Sequence, residues 1–491
     1  MQPSGLSFPS LRPGRALPRL ARLCMPAALW VWPLAAVAAG DEALEPIAPI
    51  TAPFPMPELQ RPTFPERTVS IADHGAVPDG QTKNTAAFAR AIEAVAEAGG
   101  GHVVVPAGRW LTGPIHLRSN IDLHLAAGAV VVFSDVFEDY LPPVRVRVGG
   151  IDCFNYSPLI YAHGCENIAV TGPGRLDGNA AAWWPWKKQE KSGLPALAAQ
   201  GVPVEQRVFG TRAAAIRPSF VSFVDCRNVL LEGFTIGSGP NWTLHPVYCE
   251  NVIVRRVTVD TDGPNNDGLD PDSCRNVLVE YCTFSTGDDC VVLKSGYNED
   301  GWRVARPTEN VVVRHCTSRR GHGGIVIGSE MSGDVRNVYA HDCDFAGTDR
   351  VLRIKSRPDR GGVVENVWVE AITARDLKYE VAIINLDYSA DPSAVTRQRP
   401  PLIRNITVRR VAAAGAPVAV RITGLPAAPI QNVVFEDCAI VSQRGVLATH
   451  ARGLAFRRCA LAPAQGARFV LGAGADVTVD GQPFPAAPGQ P

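Results

Sequence analysis

The sequence predicts an all-β solenoid, in which short strands stack in successive coils and one helix caps the N-terminal end. Three observations support this prediction. A nine-fold unit recurs in which an asparagine precedes four or five alternating apolar and polar residues. The intervals between these units differ in length and contain no helical pattern, as in repeat proteins whose coils share a strand and vary in their turns. Cysteines recur at fixed distances from the asparagine.

The first element is a targeting segment over residues 1–39. Four arginines without an acidic residue precede an apolar stretch that ends near Ala39, and Ala36-Val37-Ala38 offers the small residues of a cleavage site. A membrane anchor is the alternative. However, the stretch is shorter than the ~20 residues that span a bilayer, and it contains Pro26 and Pro33. We therefore predict an exported protein, periplasmic or extracellular, without membrane attachment after cleavage.

The next elements lead into the solenoid. Residues 40–67 are rich in proline, which predicts an extended linker. A short strand is predicted from Thr68, and Asn84 can cap a helix from Thr85 to about Ala98. Apolar residues recur there at helical spacing: Ala86, Phe88, Ala91, Ile92 and Val95. One amphipathic helix ahead of a long β region suits a cap on the end of a stack.

The repeat itself defines the β region, predicted over residues 68–480, with a C-terminal tail over 481–491. Its asparagines are Asn167, Asn228, Asn251, Asn276, Asn310, Asn337, Asn366, Asn405 and Asn432. Each side-chain amide can bond to the same group on the coils above and below. A sandwich of nine strands is the competing architecture. It predicts hairpin turns of about two to five residues, shorter than these intervals.

Cysteines follow the same register. Without Cys24, eleven of the twelve are left, an odd number that cannot all pair within one chain. One file lies six residues after the asparagine or its equivalent, and a second lies two before it: Cys282, Cys316, Cys343, Cys438 and Cys459, then Cys165, Cys226, Cys249 and Cys274. We interpret them as buried files of small apolar side chains, with disulfides or a metal site as the alternative.

The charge balance excludes some partners. The chain has 48 basic and 48 acidic side chains, so the formal net charge is zero. No nucleic-acid or membrane-surface partner is expected from such a balance, and attraction for a charged substrate must be local.

Candidate functional residues share a register with the repeat. Counted from the preceding asparagine, they fall 12 to 18 residues on, over five coils: Asn241, Asp267, Asp288, Asp289, His322, Arg353 and Lys355. Because each coil advances by about 4.8 Å, they would form a polar strip, the shape of a groove for an extended polymer.

Three crowded carboxylates suggest acid–base chemistry. Asp267, Asp288 and Asp289 cannot all ionise easily, and a like-charged neighbour raises the pKa of one of them. Glycoside hydrolysis needs one acid that holds a proton and one carboxylate that activates water or attacks carbon. The alternatives are a solvated acidic turn or a calcium site that also uses nearby aspartates: Asp260, Asp262, Asp270 and Asp272.

Two later coils add a histidine and two cations. Glycines flank His322, so its side chain is expected to be exposed and the backbone close to a ligand. Arg353 and Lys355 alternate with Ile354 and therefore share one strand face. This pair can clamp a sugar carboxylate, or can act as counter-ions for the aspartates.

Four motifs in this order resemble those of the polygalacturonases, glycoside hydrolase family 28: Asn265-Asn266-Asp267, Gly287-Asp288-Asp289, Gly321-His322-Gly323 and Arg353-Ile354-Lys355. The resemblance extends from about Thr68 to near Ala460. It implies a right-handed parallel β-helix and inverting hydrolysis of α-1,4-galacturonosyl linkages in pectin (EC 3.2.1.-). No cofactor and no metal are implied, and a monomer is expected.

The resemblance also implies roles. Asp288 would be the general acid, Asp267 and Asp289 would position and activate water, and His322 would support the acid. The substrate-binding residues would be Arg353, Lys355, Tyr388, Asn265 and Asn241. Asp288 must then be protonated while a partner is ionised, which predicts an acidic pH optimum.

Further similarity is to bacterial exo-acting members, in which long loops narrow one end of the groove. The stretch from Arg175 to Arg217, with its tryptophans at 183, 184 and 186, is long enough for this. The alternatives are an endo-polygalacturonase or a rhamnogalacturonan or xylogalacturonan hydrolase on the same site. A calcium-dependent lyase and a non-catalytic glycan-binding β-helix are further alternatives.

Overall fold

Strands recur in threes along the chain, and each set of three forms one coil of a right-handed parallel β-helix. The structure is a computed structural model that describes residues 45–388 and 398–484. Equivalent strands of neighbouring coils pair in parallel, so the coils generate three long sheets, which we name A, B and C. The predicted fold class is confirmed, and the sandwich alternative is wrong.

Sheet A contains the strands that carry the repeated asparagine. Its strands are Thr68–Ser70, Gly101–Val105, Ile121–Leu125, Glu166–Thr171, Arg227–Glu232, Glu250–Arg255, Arg275–Glu280, Thr308–Arg314, Val335–Ala346, Val363–Arg375, Leu402–Arg409, Ile430–Glu436, Ala451–Arg457 and Ala475–Val479.

Sheets B and C complete each coil, and the longest strands continue from one sheet into the next. Sheet B contains Asp79–Lys83, Gly108–Thr112, Ala129–Phe133, Arg175–Asp177, Thr235–Gly237, Thr258–Asp260, Thr283–Ser285, Thr317–Arg320, Ala412–Thr423, Ala439–Thr449 and Ala460–Pro463. Sheet C contains Ile115–His116, Ile160–His163, Val221–Val224, Leu244–Val247, Val291–Leu293, Ile325–Ile327, Leu352–Lys355, Glu380–Asn385 and Phe469–Leu471.

The asparagines form the predicted ladder. Each side-chain amide donates to the preceding asparagine's side-chain oxygen, at 2.9 to 3.3 Å, from Asn167 to Asn432. Asn120 extends the ladder by one coil at its N-terminal end. All ten have a positive φ of 52° to 61°, a left-handed conformation that asparagine tolerates better than most residues. The repeat therefore marks both a turn and a bond between coils.

The interior between the three sheets is apolar. Strand residues that point inward, such as Val252, Val254 and Val279, are fully buried. Among the described cysteines all eleven are free, and ten of them are buried. The interpretation of the cysteines as small apolar core residues therefore agrees with the structure, and none of those described forms a disulfide.

The predicted cap is the α-helix Thr85–Glu97, which packs on the first coils. Its buried face includes Ala87 where Ala86 had been expected, because Ala86 faces solvent. Asn84 does not cap the helix through its side chain. Its amide instead donates to the Val77 and Leu111 carbonyls, so it ties the helix start to a strand.

Residues 48–67 of the proline-rich stretch contain no helix and no regular strand, and they pack against the β-helix. We name residues 48–67 the strap. Arg61 pairs with Glu232 at 2.7 Å, and Arg314 donates to the carbonyls of Ala48 and Pro49 at 2.8 and 3.0 Å. The predicted leader, residues 1–39, lies outside the described residues.

Further elements lie in the connections between the strands of the three sheets. They comprise the antiparallel hairpin Val144–Val148 and Ile151–Asn155, the α-helices Leu194–Ala199 and Asn298–Val304, and 3-10 helices at Ile71–His74, Phe137–Tyr140, Ala180–Lys188 and Val204–Gln206. A terminal strand, Gln482–Pro483, pairs antiparallel with the last strand of sheet A. Within the described ranges, no helix has the length and apolar character needed to cross a bilayer.

Candidate active site

The candidate aspartates and His322 lie where sheet B turns into sheet C, on consecutive coils, and Arg353 and Lys355 lie on the sheet C strand Leu352–Lys355. The backbone N–H of Gly268 donates to the Asp289 carbonyl at 2.8 Å, and that of His322 donates to the Asp288 carbonyl at 2.9 Å. The turns are therefore stacked in register. Asp267, Asp288, Asp289 and His322 are brought together by this stacking, as the asparagine register predicted.

Glycines allow the turns to approach this closely. A Cβ atom on Gly287 would lie 2.3 Å from the carbonyl oxygen of Gly263 on the coil before. Gly321 has a φ of 149°, and a Cβ there would lie 2.5 Å from the Cys290 sulfur. The glycines next to Asp288 and His322 are thus required by close backbone packing.

Asp288 is the acidic residue of the three that reaches solvent, with 16% of its side chain exposed. Its Oδ1 is 2.9 Å from Nδ1 of His322 and accepts the Asp289 backbone N–H at 3.0 Å. Burial alone would raise the pKa of Asp288, but the hydrogen bond from His322 and the charge of Lys355 outweigh it and lower that pKa. The same bond raises the pKa of His322.

Asp289 is fully buried and is neutralised by the two cations of the later coil. Its Oδ1 lies 3.2 Å from Arg353 and its Oδ2 lies 2.7 Å from the ammonium of Lys355. Tyr388 covers both cations, with its ring centroid 5.3 Å from the Arg353 guanidinium carbon and 5.1 Å from the Lys355 nitrogen. Arg353 and Lys355 therefore act as counter-ions, one of the two roles considered for them.

Asp267 is also buried and has the opposite electrostatics to Asp288. Burial, followed by the nearby Asp270 and Asp288, raises the pKa of Asp267 well above its usual range. The pKa of Asp267 is thus raised, while that of Asp288 is lowered. That is the reverse of the order that the acid role of Asp288 needs.

Asn265 connects the cluster to the long insertion. Its amide nitrogen lies 3.4 Å from Oδ2 of Asp288, and its oxygen accepts from Arg217 at 2.8 Å. Arg217 is buried and also donates to the Pro264 carbonyl at 2.6 Å. The insertion therefore fixes which end of the Asn265 amide faces Asp288.

The tryptophans of the insertion have two different environments. Trp183 and Trp186 are buried in an aromatic cluster with Phe137, so they pack the insertion itself. Trp184 donates to the Gly239 carbonyl at 3.0 Å and lies against Gly263, just before the Asn265 turn. One of the three thus borders the site.

Asn241 and Asn266 belong to the scaffold of this turn. The Asn266 amide nitrogen donates to the carbonyls of Gly239 and Asn241, each at 3.0 Å, and its oxygen accepts from Thr261 and from the Gly263 N–H. Asn241 therefore contributes a backbone carbonyl here, and the residue is half-buried.

Sequence reasoning missed a buried cation beneath the site. The ammonium of Lys294 lies 3.9 Å from Asp267, 3.7 Å from Asp270 and 3.1 Å from Glu330, and 4.3 Å from the centre of the Trp242 ring. A signal was present. Lys294 follows Asn276 by the same 18 residues by which Lys355 follows Asn337, so the register predicts both positions.

Three side chains have the spacing of a metal site. One ligand atom each from Asp288, Asp289 and His322 falls within 4.8 Å of the others. These atoms already have partners in one another, in Arg353 and in Lys355, which balance the charge of the carboxylates. We assign them to hydrogen bonding and not to a metal.

Comparisons with known proteins place the chain among pectin-degrading families. The family described as Glycosyl hydrolases family 28 matches residues 154–452, and the family described as Rhamnogalacturonase A/epimerase, pectate lyase-like, matches residues 68–130. A probable polygalacturonase of Vitis vinifera is 30% identical over 389 residues, covering 76% of this chain and 74% of that relative.

Two solved structures are similar over most of the chain. A hyperthermoactive exopolygalacturonase from Thermotoga maritima has a TM-score of 0.76 and 41% identity, covering 87% of this chain and 94% of that one. A family 28 exopolygalacturonase from Yersinia enterocolitica has a TM-score of 0.73 and 25% identity, covering 86% of this chain and 80% of that one. The family match includes every candidate residue from Asn241 to Tyr388.

Proposed function

Because this chain belongs to glycosyl hydrolases family 28, and is thus a glycoside hydrolase of the polygalacturonase family, we propose that it is an exported exo-polygalacturonase. It would release galacturonate from the ends of pectic chains by inverting hydrolysis. One observation carries the proposal: three carboxylates, a histidine and two cations from four consecutive coils converge at one place on the β-helix.

The proposed roles follow from exposure. Asp288 is the partly exposed acid, so it can reach the glycosidic oxygen and protonate the leaving group. Asp267 and Asp289 lie deeper and would take a proton from the attacking water. That water bonds to the anomeric carbon as the glycosidic bond breaks, and the product has the opposite anomeric configuration. His322 would hold Asp288 in place.

Substrate binding would restore the proton order that this chemistry needs. A galacturonate carboxylate at Arg353 and Lys355 would neutralise the charge that lowers the pKa of Asp288. A bound sugar ring would also remove water from Asp288. Both changes raise the pKa of that acid, so the proton can move to Asp288 while Asp267 becomes the ionised base.

Exo action is supported by the insertion beside the site. Trp184 and Arg217 bring it against the Asn265 turn, so chain ends fit this side of the groove better than a continuous polymer does. The two similar structures are described as exopolygalacturonases.

Product analysis on oligogalacturonides of defined length tests the proposal. We expect galacturonate alone as the first product, released from the non-reducing end, with a β anomer first seen by NMR. Asp288→Asn should reduce kcat by about 10³-fold or more, because the leaving group loses its proton donor. Asp344→Asn is the matched control, since Asp344 is exposed and pairs with Arg375 on sheet B.

Other outcomes would overturn parts of the proposal. A ladder of oligomers would indicate endo action, and cleavage of rhamnogalacturonan or xylogalacturonan alone would change the substrate. An unsaturated product would indicate a lyase. Glycan binding without turnover would exclude an enzyme.

A further inference from the structure

A buried ammonium group lies directly beneath the proposed water-activating acid. Lys294 is 4% exposed and follows the sheet C strand Val291–Leu293, one residue beyond its end. Its nitrogen is 3.1 Å from Glu330, which is its hydrogen-bonded partner. The ammonium lies farther from Asp267 and Asp270, at 3.9 and 3.7 Å. Lys294 is thus shared among three carboxyl groups.

Asp270 is the second buried acid at this ammonium. It is fully buried, and neither of its carboxyl oxygens has a hydrogen-bond partner among the described residues. One oxygen of Asp267 is in the same condition. Burial is the main cause that raises the pKa of both acids, and the charge of Lys294 opposes it in both.

Several charged or titratable groups face Asp267 from its own turn, the next coil, the strand end and the insertion. They are Asp270, Asp288, Asp289, Lys294, Arg217 and Cys290. Arg217 is held by Asn265 and by backbone carbonyls, and Asp289 by its own two cations. Lys294 is therefore the cation available to a charged Asp267, and Asp270 competes for it.

On the proposed role of Asp267 in activating water, we propose that Lys294 and Asp270 are positioning residues that decide, from beneath the groove, whether Asp267 carries a charge. Lys294 favours the ionised carboxylate that accepts a proton from water. Asp270 opposes it, because Lys294 already pairs with Glu330, and each further negative charge at the same ammonium is harder to carry. Neither residue touches the substrate.

The two residues should therefore act on the pH profile in opposite directions. An ionised Asp267 is required for turnover, so in the substrate complex, where Asp288 holds the proton, the acidic limb of kcat follows the ionisation of Asp267. Loss of the ammonium makes that ionisation harder and moves the limb to higher pH. Loss of Asp270 removes the competing acid, so that Lys294 stabilises the charge of Asp267 more strongly. The acidic limb then moves to lower pH.

The test is the pH dependence of kcat, measured at saturating trigalacturonate. We expect Lys294→Met to move the acidic limb upward by about one pH unit or more, and Asp270→Asn to move it downward by about half a unit. Lys294→Arg keeps a cation and should lie closer to wild type. The double variant Asp270→Asn with Lys294→Met should lie between the two single variants.

Matched controls separate this effect from a general loss of charge. Lys83→Met and Asp344→Asn remove the same groups from exposed ion pairs, and both should keep the wild-type limb. Circular dichroism at each pH establishes that the variants are folded. If Lys294→Met does not fold, Asp270→Asn and Lys294→Arg still decide the outcome.

The result that overturns this inference is a folded Asp270→Asn whose acidic limb stays at the wild-type pH or moves upward. If the double variant has its acidic limb at the same pH as Lys294→Met, Asp270 has no positioning role. Failure of the proposed function has a different signature: Asp288→Asn would retain its turnover. If Asp288→Asn is inactive and the Lys294 and Asp270 variants keep the wild-type acidic limb, only the positioning roles of Lys294 and Asp270 are rejected.

Discussion

Asp267, Asp288 and Asp289 are the same side chain in three different environments. Asp288 is partly exposed and is hydrogen-bonded to a histidine, and Asp289 is buried and forms ion pairs with two cations. Asp267 is buried near one ammonium group that other acids also contact. Carboxyl groups whose surroundings separate their pKa values are a common basis for acid–base division of labour. The division here is set by neighbours on other coils, and not by the local sequence of each aspartate.

His322 should make the stability of the fold depend on pH. Its pKa is raised, chiefly by the hydrogen bond to Asp288. A raised folded-state pKa means that the bond stabilises the fold below the ordinary histidine value of about 6.5, and that this contribution is lost as pH rises through the higher value. Because 47% of the His322 side chain is exposed, the contribution is below about 1 kcal/mol.

Thermal unfolding of His322→Gln checks this prediction. The variant should melt below wild type at about pH 5.5, and the gap should shrink at about pH 8.5. His163→Gln, which changes an exposed histidine outside this site, serves as the control. A gap that is constant or widens as pH rises would contradict the assignment.

At the scale of the elements, charged side chains at the ends of sheet A strands form a buried ladder. Arg61 of the strap pairs with Glu232, which pairs with Arg255; Arg255 and Arg314 both pair with Glu280. All but Arg61 are at most 6% exposed. The strap is therefore joined to the coils at the first and last members of one ionic chain.

Glu280 is the member whose loss should matter most. Glu280→Gln leaves Arg255 and Arg314 buried without their shared carboxylate, which should lower the free energy of unfolding by about 3–5 kcal/mol. Glu250→Gln is the matched control on the same sheet, where the arginine partners are about half exposed. Its cost should be about 0–1 kcal/mol. Urea unfolding measures both, and equal losses would show that burial of the ladder is unimportant.

Across the whole molecule, each coil contacts mainly its neighbours, so damage should stay local. Asn432 belongs to a late coil, far along the stack from the candidate site. Asn432→Gly keeps the left-handed backbone and removes the last bond of the ladder, the one to Asn405.

Hydrogen exchange on Asn432→Gly should show faster exchange after about residue 430, with kcat unchanged. Asn310→Gly makes the same change between the coils of Asp288 and His322, and it should reduce kcat. The prediction of local damage fails if Asn432→Gly loses activity to the same degree.

The sequence was sufficient for the architecture and for the positions of most candidate residues, because an asparagine marks most of the coils. Counting from that residue places Asp267, Asp288 and His322 on one wall. Two features escaped it. The protonation order of Asp267 and Asp288 depends on burial, which residue spacing does not report. The strap has no periodicity, so its proline content indicates an extended chain but not the surface against which it packs.

The strap also imposes an order on how the molecule can be completed. Its carbonyls at Ala48 and Pro49 are synthesised 266 and 265 residues before Arg314, the side chain that binds them. During synthesis, each coil can stack on the one before it. The strap, however, can bind Arg314 only after the middle coils have been synthesised and have folded. The N-terminal end of the fold is thus the part made first and fastened late.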